Sequence, residues 1–197
     1  MPVSRLDNDA ARGLGGLSLI ALDLRQALDS CHRLIRALEV QPQDNLLIEA
    51  LWSSALVRYV RCFSGGKRTQ LGEHILEGDD ELIELHRFFV EMRNKHIAHS
   101  VNPFEEVAVG LVLSGAKPNW EVEGVTILWR RLQSMDVDGV RSFHALLGRL
   151  HAKVVDLVRE SKAELLAWAR AQSSGTFGPT GLRIATPEWG KAAEPRE

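Results

Sequence analysis

Cysteine is scarce in this chain: Cys31 and Cys62 are the only two. Two thiols so far apart exclude a disulfide framework and the paired spacing of a zinc ribbon. Cys62 follows Arg61 and can be read as a reactive thiol, although a small buried hydrophobe is the simpler expectation. Long apolar runs are missing as well. No stretch approaches the roughly 18 apolar residues of a membrane-spanning helix. The first residues, MPVSRLDNDAARGLGG, do not follow the basic-then-apolar order of a signal peptide. These absences lead to the expectation of a cytoplasmic protein that makes no use of a membrane. An excess of one charge is absent too, with 24 basic against 26 acidic residues and a formal net charge of -2. Nucleic acid would therefore have to be met by a local patch, not by bulk charge. The Gly-x-x-x-x-Gly-Lys-[Ser/Thr] spacing of a P-loop does not occur, and no internal repeat is found.

What is there is a globular composition, 45% apolar and 25% charged over 197 residues, enough for one domain with a real core. Residues 1–16, with three glycines and few large apolar groups, read as a flexible arm. From Leu17 a helical period begins: Ile20, Leu24, Ala27, Leu28, Cys31, Leu34, Ile35 and Leu38 recur every three or four positions until Pro42. Asp44 or Asn45 can cap a second helix striped by Ile48, Leu51, Trp52, Ala55, Leu56, Tyr59, Val60 and Phe63 and stopped at Gly65-Gly66. A charged loop runs to Gly78. Asp79 or Asp80 opens a third helix along Leu82, Leu85, Phe89 and Met92, which Asn102-Pro103 should close.

The period then changes from helical to two. EEVAVGLVL alternates through Val107, Val109, Leu111 and Leu113, SGAKPN is a turn cluster, and WEVEGVTILW returns. A β-hairpin over about residues 105–130 is expected. Asp136 or Asp138 opens a last helix of about 34 residues, with a bend expected near Gly148. After Gln172, Gly, Pro and Ser predict a flexible tail over 173–197. The fold class expected is all-α: an antiparallel four-helix bundle over residues 17–172 with the hairpin inserted between its third and fourth helices.

The end of the third helix holds the densest chemistry: Arg93, Asn94, Lys95, His96 and His99 within EMRNKHIAHS. RNA can be cut without a metal when its 2′-hydroxyl attacks the adjacent phosphate. That reaction needs a base and an acid near neutral pKa and a fixed cation on the phosphorane oxygens. Histidine suits both proton roles and the arginine fork suits the phosphate. An asparagine can donate an amide hydrogen bond or orient the histidine. In an ideal helix Arg93 and His96 share a face, whereas Arg93 and His99 stand about 240° apart. Those two can converge where the helix ends early or where two copies meet across a two-fold axis. His96 and His99 have no third ligand nearby, so no metal and no cofactor are expected. Lys95, Arg93 and the histidines also suit a plain helix C-terminus, where cations complement the dipole.

Arg93-Asn94 followed by four residues and His99, late in the third helix, resembles the R-x(4–6)-H signature of the HEPN superfamily, in which a polar residue often follows the arginine. The resemblance implies a helical bundle, a homodimer, and metal-independent endoribonuclease activity in toxin–antitoxin, phage-defence or RNA-processing systems. An antitoxin or a nucleotidyltransferase is the protein partner it implies. Some relatives bind nucleotide, RNA or protein without turnover. The motif's arginine and histidine map onto Arg93 and His99, and its polar neighbour onto Asn94, while geometry alone favours His96 as the partner of Arg93. The hairpin departs from the plainest bundle of the family.

A second basic element, RYVRCFSGGKR, carries Arg58, Arg61, Lys67 and Arg68 with no acid among them. Arg61, Lys67 and Arg68 can guide an RNA backbone, or form only a solvated helix end. His86, seven residues before Arg93, is expected to be a structural histidine. Trp120 and Trp129 flank the hairpin, where cross-strand packing is commoner than base stacking.

Overall fold

In a computed structural model the chain is mostly helical. The structure describes residues 3–64, 69–97, 105–173, 176–178 and 180; at 96, 97 and 105 it describes the backbone alone. Four α-helices, α1 (Asp9–Glu39), α2 (Asn45–Arg61), α3 (Asp80–Met92) and α4 (Val137–Arg170), are joined by a short 3₁₀ turn (Glu73–Leu76), a π-helical turn (Arg93–Ile97) and a two-stranded hairpin, β1 (Glu105–Ala116) with β2 (Asn119–Arg131).

The helix starts follow from side-chain caps. Asp44, Asp79 and Asp136 each accept a hydrogen bond from the backbone N–H three residues on, which satisfies a donor the helix itself cannot. These are the caps the sequence offered. The first helix is different. It starts at Asp9, not Leu17, so the arm expected over residues 1–16 is helical from its ninth residue. Asn8 caps it through Ala11 N, and Arg12 reaches both Asp7 and Asp9 at 2.7 Å. The glycines that made this segment read as loose each cost a helix roughly 1 kcal/mol against alanine. Gly16 has a reason to be there: a Cβ at that position would collide with the Thr69 side chain, so its absence lets the loop after α2 lie against α1. α4 continues without interruption through Gly148, where a bend was expected. Asn102-Pro103, Gly65-Gly66 and most of the tail lie outside the described residues.

The apolar stripes read from the sequence meet in one core. Ile20, Leu24, Ala27, Cys31 and Leu34 of α1, Ile48, Trp52, Leu56 and Tyr59 of α2, Leu82, Phe89 and Met92 of α3, and Val140, Phe143, Leu147, Leu150 and Val154 of α4 are all buried together. α1 packs along both α2 and α4, and the shorter α3 lies against α2 and α4. At the centre Phe143 meets three rings, Phe89 at 4.2 Å, Tyr59 at 5.2 Å and Trp52 at 5.7 Å between centroids. The last two are edge-to-face, the arrangement favoured by ring quadrupoles.

The hairpin is antiparallel, with Glu105 opposite Arg131 at its base and Ala116 opposite Asn119 at its tip, and one irregularity between Val112 and Leu113. Gly115 sits at φ +88° beside the turn, in the left-handed region, where a Cβ would also press on the Asn119 carbonyl oxygen. Among the described residues no helix is long and apolar enough to cross a membrane.

Phe143→Ala should lower the unfolding free energy by roughly 3–5 kcal/mol, because it empties the point where three helices meet. Urea denaturation with an unchanged m-value checks this.

Candidate functional site

α3 buries Leu82, His86, Phe89 and Met92 along one side, so Arg93 follows directly on the last core residue. Its side chain leaves the core half-buried. Nε is fully buried and has no hydrogen-bond partner among the described residues, while Nη1 donates to Asn94 Oδ1 at 3.1 Å. The guanidinium is therefore held by its neighbour at one end and has an idle donor at the other, a situation that costs about 1–3 kcal/mol unless something accepts from it. Lys95 pairs with Glu91 one turn back, at 3.3 Å and exposed, which is worth little.

Arg93–Ile97 is wound as a π turn, not as the α-helix assumed from the period. With about 4.4 residues per turn, positions 93 and 96 stand roughly 115° apart instead of roughly 60°. That angle is the ideal one for a π turn; the His96 side chain itself lies outside the described residues. Single π turns occur often at functional sites. His99 lies outside the described residues, as do Lys67 and Arg68.

Ring contacts fix where this turn sits. Tyr59 lies by His86 and Trp52 by Phe89, so α2 and α3 run antiparallel and Arg93–Ile97 comes beside the N-terminal half of α2. Arg61, at the other end of α2, is then about 15 Å away along the axes. The structure does not bring it to Arg93. Instead Arg58 and Arg61 turn to the buried carboxylate of Asp23 on α1, at 3.3 and 3.8 Å, and Arg58 also donates to Gln26. That end of α2 is a paired basic edge, lining a shallow groove with Ser53, Ser54 and Val57. The motif reading also missed a pair of arginines at the base of the hairpin. Arg131 bonds Glu49, early in α2, at 2.8 Å, and Arg130 pairs with Glu106 at 2.9 Å. The clue in the sequence was the hairpin itself, whose closing residues return to within one strand spacing of Glu105.

The remaining candidates have structural roles. Cys62 is buried with its thiol donating to the Arg58 carbonyl at 3.3 Å, so the reactive-thiol reading fails. Burial alone pushes the Cys31 thiol up to about 12. His86 is buried between Tyr59 and Phe63, with Nδ1 2.7 Å from the Tyr59 hydroxyl. Burial lowers the His86 pKa, against a smaller upward pull from Glu73, and burial raises that of Tyr59. Both groups are held neutral. The phenol and Nδ1 share one hydrogen bond whose direction follows the imidazole tautomer. Among the described residues no three His, Cys, Asp or Glu side chains converge as a metal site. Comparison with known proteins finds no family model, no curated protein and no solved structure that matches this chain.

His86 has a folded-state pKa below its unfolded value near 6.5, so between the two the unfolded chain binds more protons and stability rises with pH. His151 is shifted down in the same direction by burial. Stability should fall as pH drops from about 7.5 to about 5.5, across the unfolded value. His86→Gln should shrink that drop and leave the His151 share. Tyr59→Phe should cost about 1–3 kcal/mol by stranding Nδ1. Denaturant midpoints at the two pH values read all three.

Proposed function

We propose that this chain is a metal-independent endoribonuclease of HEPN type, an antiparallel four-helix bundle with an added hairpin that acts as a homodimer in a toxin or phage-defence setting. The observation that carries this reading is Arg93: a half-buried guanidinium, steadied by Asn94, with a buried Nε–H that has no partner among the described residues, at a π turn. A surface arginine serving only the helix dipole has no need of that burial.

In this reading the phosphate of a bound RNA lies against Arg93. The 2′-oxygen attacks phosphorus and gives its proton to an imidazole, His99 by the motif. Charge gathers on the non-bridging oxygens, where the fixed guanidinium counts most. The P–O5′ bond then breaks, and the leaving oxygen takes up a proton. The products are a 2′,3′-cyclic phosphate and a 5′-hydroxyl. Asn94 is a positioning residue that holds Arg93. His96 is the second candidate for proton transfer. Lys95, Lys67 and Arg68 are assigned to the RNA backbone, and Arg61, tied to Asp23, to a weaker contact of that kind. An antitoxin or a nucleotidyltransferase is the partner class that fits such a setting. A second reading is a non-catalytic nucleotide-, RNA- or protein-binding module, which needs the steadied arginine at the π turn but no imidazole beside it.

Purified protein should cut single-stranded RNA in EDTA and leave cyclic phosphate ends. Arg93→Ala and His99→Ala should each slow cutting by about 10²–10⁴-fold with the helical circular dichroism and a cooperative melt retained. Arg93→Lys should restore little, since a point charge does not replace a planar fork. Binding without cutting selects the module reading, and cutting that survives both alanine changes rejects the site.

A further inference from the structure

The hairpin has two unlike faces. The register places Val107, Val109, Leu111 and Leu113 of β1 on the same side as Trp129, Ile127, Val125, Val122 and Trp120 of β2. The irregularity after Val112 keeps this set in phase, since Val122 takes the place opposite Leu113 that an unbroken register would give to Glu123. The other side holds the Glu106–Arg130 pair, Ala108, Leu128, Gly110, Thr126, Val112, Gly124, Ser114 and Glu121. So one side is uniformly apolar and the other mostly small or polar. Yet all nine apolar side chains are exposed, from 46% at Leu113 to 72% at Trp129. The helical core does not cover them.

We infer that this apolar face is an interface for the same face of a second copy of the chain. Three observations select a second copy. A two-stranded hairpin alone is marginal in water, and this one runs about 40 Å with its apolar side bare, so it needs a cover of matching length and chemistry. The face presents on the order of 1,000 Å², and two such faces stacked bury roughly twice that, the size of a stable interface. The surroundings also argue against other covers. Between Val107 and Trp120 the face holds no cation for a phosphate backbone. The tip, Lys117-Pro118-Asn119 with Glu121 close by, is polar where a membrane-inserting hairpin would be apolar.

Stacking face to face as a small sandwich covers the apolar residues, whereas joining strand edges would leave them in water. The antiparallel arrangement suits the side chains. It sets the bulky Trp129–Val107 end of one hairpin over the Gly115–Trp120 end of the other, and Leu111 and Val125 fall at the two-fold centre. It also sends the two helical bodies to opposite ends. This inference does not rest on RNA cleavage: a monomer would remove the homodimer from both readings, while cutting in EDTA is read separately.

The test is the mass in solution by light scattering at about 10 µM, where an interface of this size is associated. The full chain should run at twice 21.9 kDa. Val109→Lys with Ile127→Glu places a complementary cross-strand pair on the face, which keeps the hairpin while charging the interface. It should give a monomer with unchanged helical circular dichroism. Thr126→Lys, on the other side, should leave the dimer intact. Leu111→Cys should form a disulfide-linked dimer on mild oxidation, since Cys31 and Cys62 are both buried. A monomeric wild type overturns the proposal, whether it floats with anionic vesicles or binds RNA or neither. So does a dimer that survives the charged pair.

Discussion

The contact of Phe143 with the rings of Trp52, Tyr59 and Phe89 is the constraint on which the arrangement turns. It ties α4 to α2 and α3 at one point, and it leaves α2 and α3 a single antiparallel register. The Tyr59–His86 hydrogen bond enforces the same register with a directional link. Once that is fixed, the residue after Met92 has no freedom over where it emerges. Arg93 must leave the core beside the start of α2, and the basic end of α2 must lie at the far end. Position in the candidate site is thus inherited from hydrophobic packing, a non-directional force made specific by four rings of definite shape.

Most of this architecture was legible. The stripes of α2, α3 and α4 could be read because every third or fourth residue is large and apolar, and the caps because an aspartate stands just ahead of each stripe. The hairpin could be read because its alternation is strict. The first turns of α1 could not, since Gly13, Gly15 and Gly16 erase the apolar signal, and the reason for Gly16 is a loop residue, Thr69, more than fifty positions away. The π turn was invisible for a related reason. Composition sets which residues can be helical, but whether a turn closes on the fourth or the fifth residue is decided by what packs against it. The pairing of Arg61 with Asp23 is likewise a contact between separate helices, so a local count of charges overstated how free that arginine is.

The described structure leaves three features unsatisfied: the Trp52 indole N–H, buried in the core without a partner, and two others of opposite character. At Arg93 a single polar atom is buried with nothing to bond among the described residues. On the hairpin a broad apolar area is exposed with nothing to cover it. Folding alone favours neither, since one forfeits a hydrogen bond and the other forfeits burial. Proteins keep such local conflicts where another molecule resolves them. They lie close in the chain, because β1 begins eight residues beyond the π turn. Whatever steadies the base of the hairpin, through Arg131 and Glu49, therefore bears on the ground in which Arg93 is planted.

The unequal lengths of the helices carry a mechanical corollary. α1 and α4 have 31 and 34 residues, against 17 and 13 in α2 and α3. Their buried positions stop at Ile20 on one and Val154 on the other. The stretches beyond, from Asp9 to Leu19 and from Val155 to Arg170, bury no residue fully, and among the described residues only Val158 at the edge of the core and Gly16 beside Thr69 tie them to the body. They form a two-helix stalk with an open furrow of about 650 Å³ between Leu14, Leu17, Leu165 and Trp168. Such a stalk frays and bends more readily than the body it grows from, so a protease would nibble the molecule from that end while the ring-locked half stayed whole.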